Sequence, residues 1–130
     1  MRAARHNSHV SSGVYRHLAE QRVPSGQKIE LFEVLIDKVG EEDWVRFRFL
    51  APQIGKAERG LSYQQSMADI ERLCSEVALP YLQEFNLSPS VVAITLMDRP
   101  VAFGSADPDA TQYIEVFQVS GKHCVLEGVW

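Results

Sequence analysis

The residues best placed for chemistry follow the most apolar stretch of the sequence. Asp98 and Arg99 come directly after Val91–Met97, and functional groups often gather where a buried strand ends. With Asp107 as a further carboxylate, they are candidates for a small hydrolase or isomerase. The structural alternative is turn chemistry, because aspartate begins turns and a neighbouring arginine pairs with its carboxylate.

Asp107 and Asp109 are also candidates for metal ligands. Hard cations prefer six or more oxygen ligands, which two aspartates do not supply. Asp107 followed by Pro108 is instead typical of a helix N-cap and the first helical residue, the interpretation we prefer. Short catalytic and phosphate-binding motifs are absent. We therefore expect no metal and no cofactor, and the sequence favours a non-catalytic protein.

Two cysteines, Cys74 and Cys124, lie 50 positions apart, a spacing that fits neither a CxxC motif nor a zinc site. They are either buried thiols in a reducing compartment or a disulfide in an oxidising one, and the spacing does not decide. A nucleophilic Cys74 beside His123 is a further alternative. The remaining histidines, His6, His9 and His17, are expected on the surface.

Trp44 and Trp130 are candidates for a binding surface. Trp44 is predicted on the outward face of its strand, and Trp130 follows a β-rich run at the end of the sequence. Exposed tryptophan is typical of binding surfaces. The alternative is that the N-terminal segment or the connection over residues 51–61 covers them.

The 130 residues suit one domain, and 45% apolar with 23% charged residues is typical of globular proteins. The net charge of -4 gives no general reason to expect nucleic acid, but four arginines and one glutamate precede Lys28. We predict a basic, flexible arm over residues 1–26 and one α+β domain over residues 27–130. The arm is solvated in our preferred interpretation, and nucleic-acid contact is the alternative. No stretch is long and apolar enough to span a membrane.

Hydrophobic periodicity predicts five strands and one helix. The predicted strands are Lys28–Val39, Trp44–Leu50, Val91–Met97, Gln112–Val119 and His123–Trp130. The order is β-β-α-β-β-β, which predicts a two-layer α+β domain with one main amphipathic helix on a mostly antiparallel five-stranded sheet. We expect the second face of the sheet to be solvated and charged, through Arg46, Arg48 and some of Glu30, Glu33, Glu115 and Glu127.

The helix has clear start and stop signals. Ser62 and Gln65 have the spacing of a capping box, so the helix should begin there. Pro80 should end or kink it near Leu79, because proline clashes with the carbonyl four residues earlier.

Four segments form one family signature together with the region around Cys124 and Glu127. They are Val-Pro-Ser-Gly-Gln at 23–27, Arg-Phe-Arg-Phe-Leu-Ala-Pro at 46–52, Asp-Arg-Pro-Val-Ala-Phe-Gly at 98–104 and Asp-Pro-Asp-Ala-Thr-Gln at 107–112. On these segments the sequence resembles a small bacterial family of unknown function, typically short exported proteins. An acetolactate synthase activity, attributed to some similar proteins, does not fit so short a chain without a Gly-Asp-Gly thiamine-diphosphate motif.

The resemblance implies a periplasmic or secreted protein and a disulfide between Cys74 and Cys124. Residues 1–22 carry a basic segment where similar proteins have an apolar signal, so a native start at Met1 would instead predict a cytoplasmic protein. We expect a binding or accessory module of the bacterial cell envelope, acting on another protein through an exposed sheet face or the loop over residues 98–112.

Overall fold

The computed structural model describes residues 3–7, 21–55 and 60–127, and the side chains of residues 21–55 and 60–127. Its elements in chain order are β1 (Ala3–Asn7), β2 (Glu30–Val39), β3 (Glu42–Leu50), α1 (Tyr63–Leu73), a π-helical turn (Cys74–Ala78), α2 (Leu79–Glu84), β4 (Val91–Met97), β5 (Gln112–Ser120) and β6 (His123–Leu126). The predicted α+β class, with one main helix on a mostly antiparallel sheet, is confirmed.

The strands form one sheet in the order β1-β2-β3-β4-β5-β6. β3 and β4 run parallel, because the helix connects them, and every other neighbouring pair is antiparallel. The five predicted strands are β2 to β6, and β1 adds a sixth at the edge of β2. The proposed arm, residues 1–26, is described only in part, so its flexibility and the division at residue 26 stay predictions.

The helix begins as predicted, with Ser62 accepting from the Gln65 N–H and Gln65 reaching back to the Ser62 N–H. It continues through Pro80, so of the two predicted outcomes near Leu79, an end or a kink, the end is wrong. The turn before the proline widens, so that the Leu79 N–H bonds to the Cys74 carbonyl five residues back. Pro80 then lies in the first turn of α2, where its missing N–H costs little.

The main core lies between the helix and one face of the sheet. Its centre is Phe47, whose ring meets that of Tyr81 edge-on, with 5.3 Å between centroids. Cys74 in the π-helical turn forms a disulfide with Cys124 on β6. This bond ties the helix to the last strand of the sheet, and the predicted pairing is confirmed.

A strap, residues 98–111, connects β4 to β5 and crosses the opposite face of the sheet. Phe103 places its ring over the guanidinium groups of Arg46 and Arg48, at 5.0 and 5.7 Å from the ring centroid. The strap therefore covers the middle of the face that carries no helix.

Candidate functional site

The two ends of the strap are held together by Asp98 and Thr111. The Asp98 N–H donates to the Thr111 carbonyl at 3.1 Å, and the Thr111 N–H donates to Asp98 Oδ1 at 2.9 Å. Gly55 packs against this anchor with φ +120°, and a Cβ at this position would lie 2.8 Å from Thr111 Oγ1. A compact loop with joined ends is an Ω-loop, a type that is frequently functional.

Asp98 and Arg99, predicted as site residues, are brought together. Arg99 donates to both carboxylate oxygens of Asp98, at 3.3 and 3.1 Å. Burial of the Asp98 carboxyl raises its pKa, but the hydrogen bonds from Arg99 and the Thr111 N–H and the Arg99 charge outweigh it, and the pKa lies below its usual 3.8. The same bond and charge raise the pKa of Arg99.

This environment gives Asp98 the properties of an anchor. Its oxygens accept hydrogen bonds from the strap and from Arg99, and its lowered pKa is opposite to the raised pKa that suits a general acid. The structural interpretation of Asp98 therefore accounts for its contacts.

Asp107 lies in the strap and begins a turn. Its Oδ1 accepts from the Asp109 N–H at 2.9 Å, and its carbonyl accepts from the Ala110 N–H at 3.1 Å. No helix follows in the described strap, so the predicted N-cap is wrong. The aspartate side chain mimics a backbone turn instead, a competing use of the same residue type.

Two of the residues predicted to be solvated, Arg48 and Glu33, are instead buried beneath the strap, while the Arg46 side chain is 18% exposed. Arg48 forms an ion pair with Glu33 and donates from Nη2 to the Val101 carbonyl at 2.7 Å. Arg46 makes a two-pronged pair with Asp37, at 3.0 and 3.2 Å. The pair of Arg48 with Glu33 is structural, because the strap and the neighbouring strands bury both side chains.

Trp44 lies on the strap side of the sheet, the face opposite the core, and is half-buried. The Arg46 guanidinium lies 4.8 Å from the centroid of its ring, so one arginine contacts both Trp44 and Phe103. The indole Nε1 is buried and has no hydrogen-bond acceptor in the described part of the chain. Trp130, His9 and His17 lie outside the described residues, as does the side chain of His6.

Cys74 is not a nucleophile, because its sulfur is bonded to Cys124. Residues 21–55 and 60–127 contain no cluster of three or more potential metal ligands. No described helix is long and apolar enough to cross a membrane.

A buried polar network was missed from the sequence. The Asp69 carboxylate, on the core side of α1, accepts from the Ser25 N–H and hydroxyl at 2.9 and 2.5 Å and from Gln27 Nε2 at 2.7 Å. It holds the turn before β2 against the helix. The available signal was the position of Asp69 and Ser66 among the buried residues Ile70 and Leu73 on one helix face.

The outer part of the uncovered sheet face carries exposed apolar side chains. Ile114 and Val125 are 53% and 47% exposed. Half-buried Val116 follows Ile114 on the same face of β5, and Val125 on β6 pairs with exposed Gln118, the next residue on that face. We call Ile114, Val116 and Val125 the apolar strip. The alternation of residues along β5 indicated the apolar strip, because Ile114 and Val116 lie on the face opposite the core residue Phe117. The prediction named the two tryptophans instead.

Comparison with known proteins gives one match. Residues 4–129 match a family described as a family of unknown function, DUF6497. No curated protein and no solved structure gives a significant match. Since the match covers nearly all of the sequence, this chain belongs to the DUF6497 family, as the resemblance predicted.

Proposed function

We propose that this chain is a non-catalytic binding module that holds a protein partner on the apolar strip. The strip lies on the outer part of the sheet face, beside the region covered by the strap. The proposal narrows the expected surface to Ile114, Val116 and Val125.

The observation that carries the proposal is that this face buries charged side chains and exposes aliphatic ones, the reverse of the usual arrangement. Arg48 and Glu33 are buried under the strap, whereas Ile114 and Val125 are about half exposed. Exposed aliphatic side chains gain about 25 cal/mol for each Å² of apolar surface that a partner covers.

The neighbouring strand edge supports a protein as the partner. β6 is the last strand of the sheet within the described residues, so its outer N–H and C=O groups have no strand partner there. An extended segment of another protein would pair with this edge and place its side chains on the strip. Main-chain hydrogen bonds would add to the contact area of three aliphatic residues.

The strap itself is the less favourable surface. Its aromatic side chain, Phe103, is turned inward over Arg46 and Arg48, and Asp98 is engaged by Thr111 and Arg99. These contacts indicate that the strap covers the buried charges of the sheet. The catalytic alternative is weakened, because the Asp98 carboxylate is already engaged in hydrogen bonds.

We place the module in the cell envelope of a bacterium. The resemblance to short exported proteins supports this compartment, and so does the disulfide, because disulfides persist where the environment is oxidising. Alkylation of thiols in intact cells, followed by mass measurement, tests the placement. The unmodified protein is expected, whereas a doubly alkylated protein would contradict it.

Site-specific photo-crosslinking tests the binding surface. A photoreactive residue at position 114, in the full chain in its native cells, should give one defined protein adduct that is lost with Val125→Asp. The matched control places the same residue at Val39, which is 37% exposed at the far end of β2. The same adducts from both positions, or an adduct at 114 that survives Val125→Asp, would refute the proposal.

A further inference from the structure

A groove of about 520 Å³ lies on the helix side of the sheet, away from the apolar strip. Its walls are the end of the helix, the loop before β4 and the turn between β5 and β6. Most of the lining is apolar, including Leu79, Pro80, Leu87, Pro89 and Val119. A concave, mainly apolar site of this size is within the usual range for small-molecule ligands.

The walls of the groove are fixed before any ligand arrives. The disulfide joins them, because Cys74 directly precedes the lining residue Ser75 and Cys124 lies two positions after the lining residue Lys122. The loop wall is held by the Leu87 N–H, which donates to the Leu82 carbonyl at 2.9 Å beyond Asn86 with φ 53°. A preformed site loses less entropy on binding.

Lys122 supplies the charge of the groove. It is the only ionisable residue in the lining and has no ion pair within the described residues. Glu76, an acidic residue on the nearby helix, is paired with Arg72 at 3.6 Å. An unpaired ammonium group beside an apolar groove is complementary to an anion with an apolar body.

The end of the helix is compatible with an anion. Free carbonyl groups at a helix C-terminus repel negative charge. Here the carbonyls of Tyr81, Leu82 and Gln83 accept from the N–H groups of Phe85, Leu87 and Asn86. Each of these three carbonyls therefore has an N–H partner within the helix cap.

We propose that the groove binds a single-chain carboxylate, with its hydrocarbon chain along Leu79, Leu87 and Val119 and its carboxylate on Lys122. The site is independent of the apolar strip and of the protein partner placed there. The two proposals can therefore fail separately.

Binding of decanoate to the full chain with its disulfide intact tests this site. Isothermal titration calorimetry should show saturable binding, and Lys122→Gln should weaken it by roughly tenfold, since a hydrogen bond to a charged group contributes about 1.5 kcal/mol. Lys38→Gln is the matched control, because Lys38 lies outside the groove and pairs with Asp43; its affinity should equal that of the unmodified protein.

Two further experiments distinguish binding in this groove from non-specific binding. Ser88→Trp changes an exposed lining residue and should block the groove without disturbing the fold. Decyltrimethylammonium, with the same chain length and the opposite charge, should bind more weakly than decanoate. No decanoate binding, equal loss in both lysine variants, equal binding of the cationic probe or unchanged binding in Ser88→Trp would each overturn the proposal.

Discussion

Phe47 and Arg48 are consecutive residues of β3, and both are buried, at 0% and 3% exposure, on opposite faces of the sheet. Phe47 packs against Tyr81 of the helix, in an apolar core. Arg48 is held by Glu33 and the Val101 carbonyl beneath the strap. The alternation of apolar and charged residues in β3 therefore separates two buried environments, one stabilised by packing and one by paired charges.

The second contrast lies within the strap side of the sheet. Its centre buries charge, and its outer part exposes Ile114 and Val125. Buried charges there serve the fold, because each has a partner. The exposed apolar residues bury less surface in the fold than the core residues do, and they form the binding surface that we propose.

The largest expected effect comes from breaking the buried ion pair. Arg48→Met removes the Arg48 cation from the buried Glu33 carboxylate, and the free energy of unfolding should fall by about 3–5 kcal/mol. Urea-induced unfolding measures this loss. Adding Glu33→Leu to Arg48→Met removes both charges and should recover most of it. A single variant within 1 kcal/mol of the unmodified protein would mean that the pair is solvated.

Removing the disulfide tests the helix side. Replacing Cys74 and Cys124 with alanine should lower the free energy of unfolding by about 2–4 kcal/mol, because the bond restricts the unfolded chain, with a chain-entropy estimate of about 4 kcal/mol for a loop of this length. Urea-induced unfolding again provides the measurement. Reductant should destabilise the unmodified protein and leave the double variant unchanged. An equal response of both proteins to reductant would contradict the role given to this bond.

Gly55→Ala tests the anchor of the strap. The new Cβ would meet Thr111 Oγ1 at 2.8 Å in a backbone conformation with φ +120°, so a loss of about 2 kcal/mol is expected. Gly40→Ala is the control, because Gly40 also has a positive φ but open space around it. Thermal unfolding should rank Gly55→Ala as the less stable variant. Equal losses would show that contact with the strap does not matter.

Asp98→Asn should cost about 1 kcal/mol at neutral pH, because it weakens the charge-assisted hydrogen bonds of the anchor. The pKa of Asp98 in the folded protein lies below 3.8. Its stabilising effect is therefore complete above that pH and is lost as pH falls through the lowered folded-state pKa. Unfolding curves of the two proteins should converge in acid. A difference that stays constant down to pH 2 would exclude a role for the Asp98 charge.

Local signals were sufficient for much of the fold. Ser62 and Gln65 specify the helix start through their own hydrogen bonds, and the apolar run Val91–Met97 specifies a strand buried on both faces. The continuation of the helix through Pro80 was not predictable in this way. It depends on a widened turn at Cys74–Ala78, which tertiary contacts select.

The candidate site was less predictable, because it depends on what covers the sheet. Glu33 and Arg48 looked solvated in the sequence, since charged residues on alternate positions normally face water. They are buried because Val101 and Phe103 of the strap lie over β3. The periodicity of apolar residues does not predict where a connecting loop lies. Asp98 and Arg99 pair with each other, as the turn interpretation predicted, but the hydrogen bond from the Thr111 N–H to Asp98 depends on the fold.

The most direct test of the contrast on the strap side is the stability of the Ile114→Asp, Val125→Asp double variant. If these residues form a free surface, its free energy of unfolding in urea will lie within about 0.5 kcal/mol of the unmodified protein for each substitution. Arg48→Met, measured in parallel, will lose several times more. A loss above about 3 kcal/mol in the double aspartate variant would show that Ile114 and Val125 stabilise the fold, and the binding surface assigned to them would be wrong.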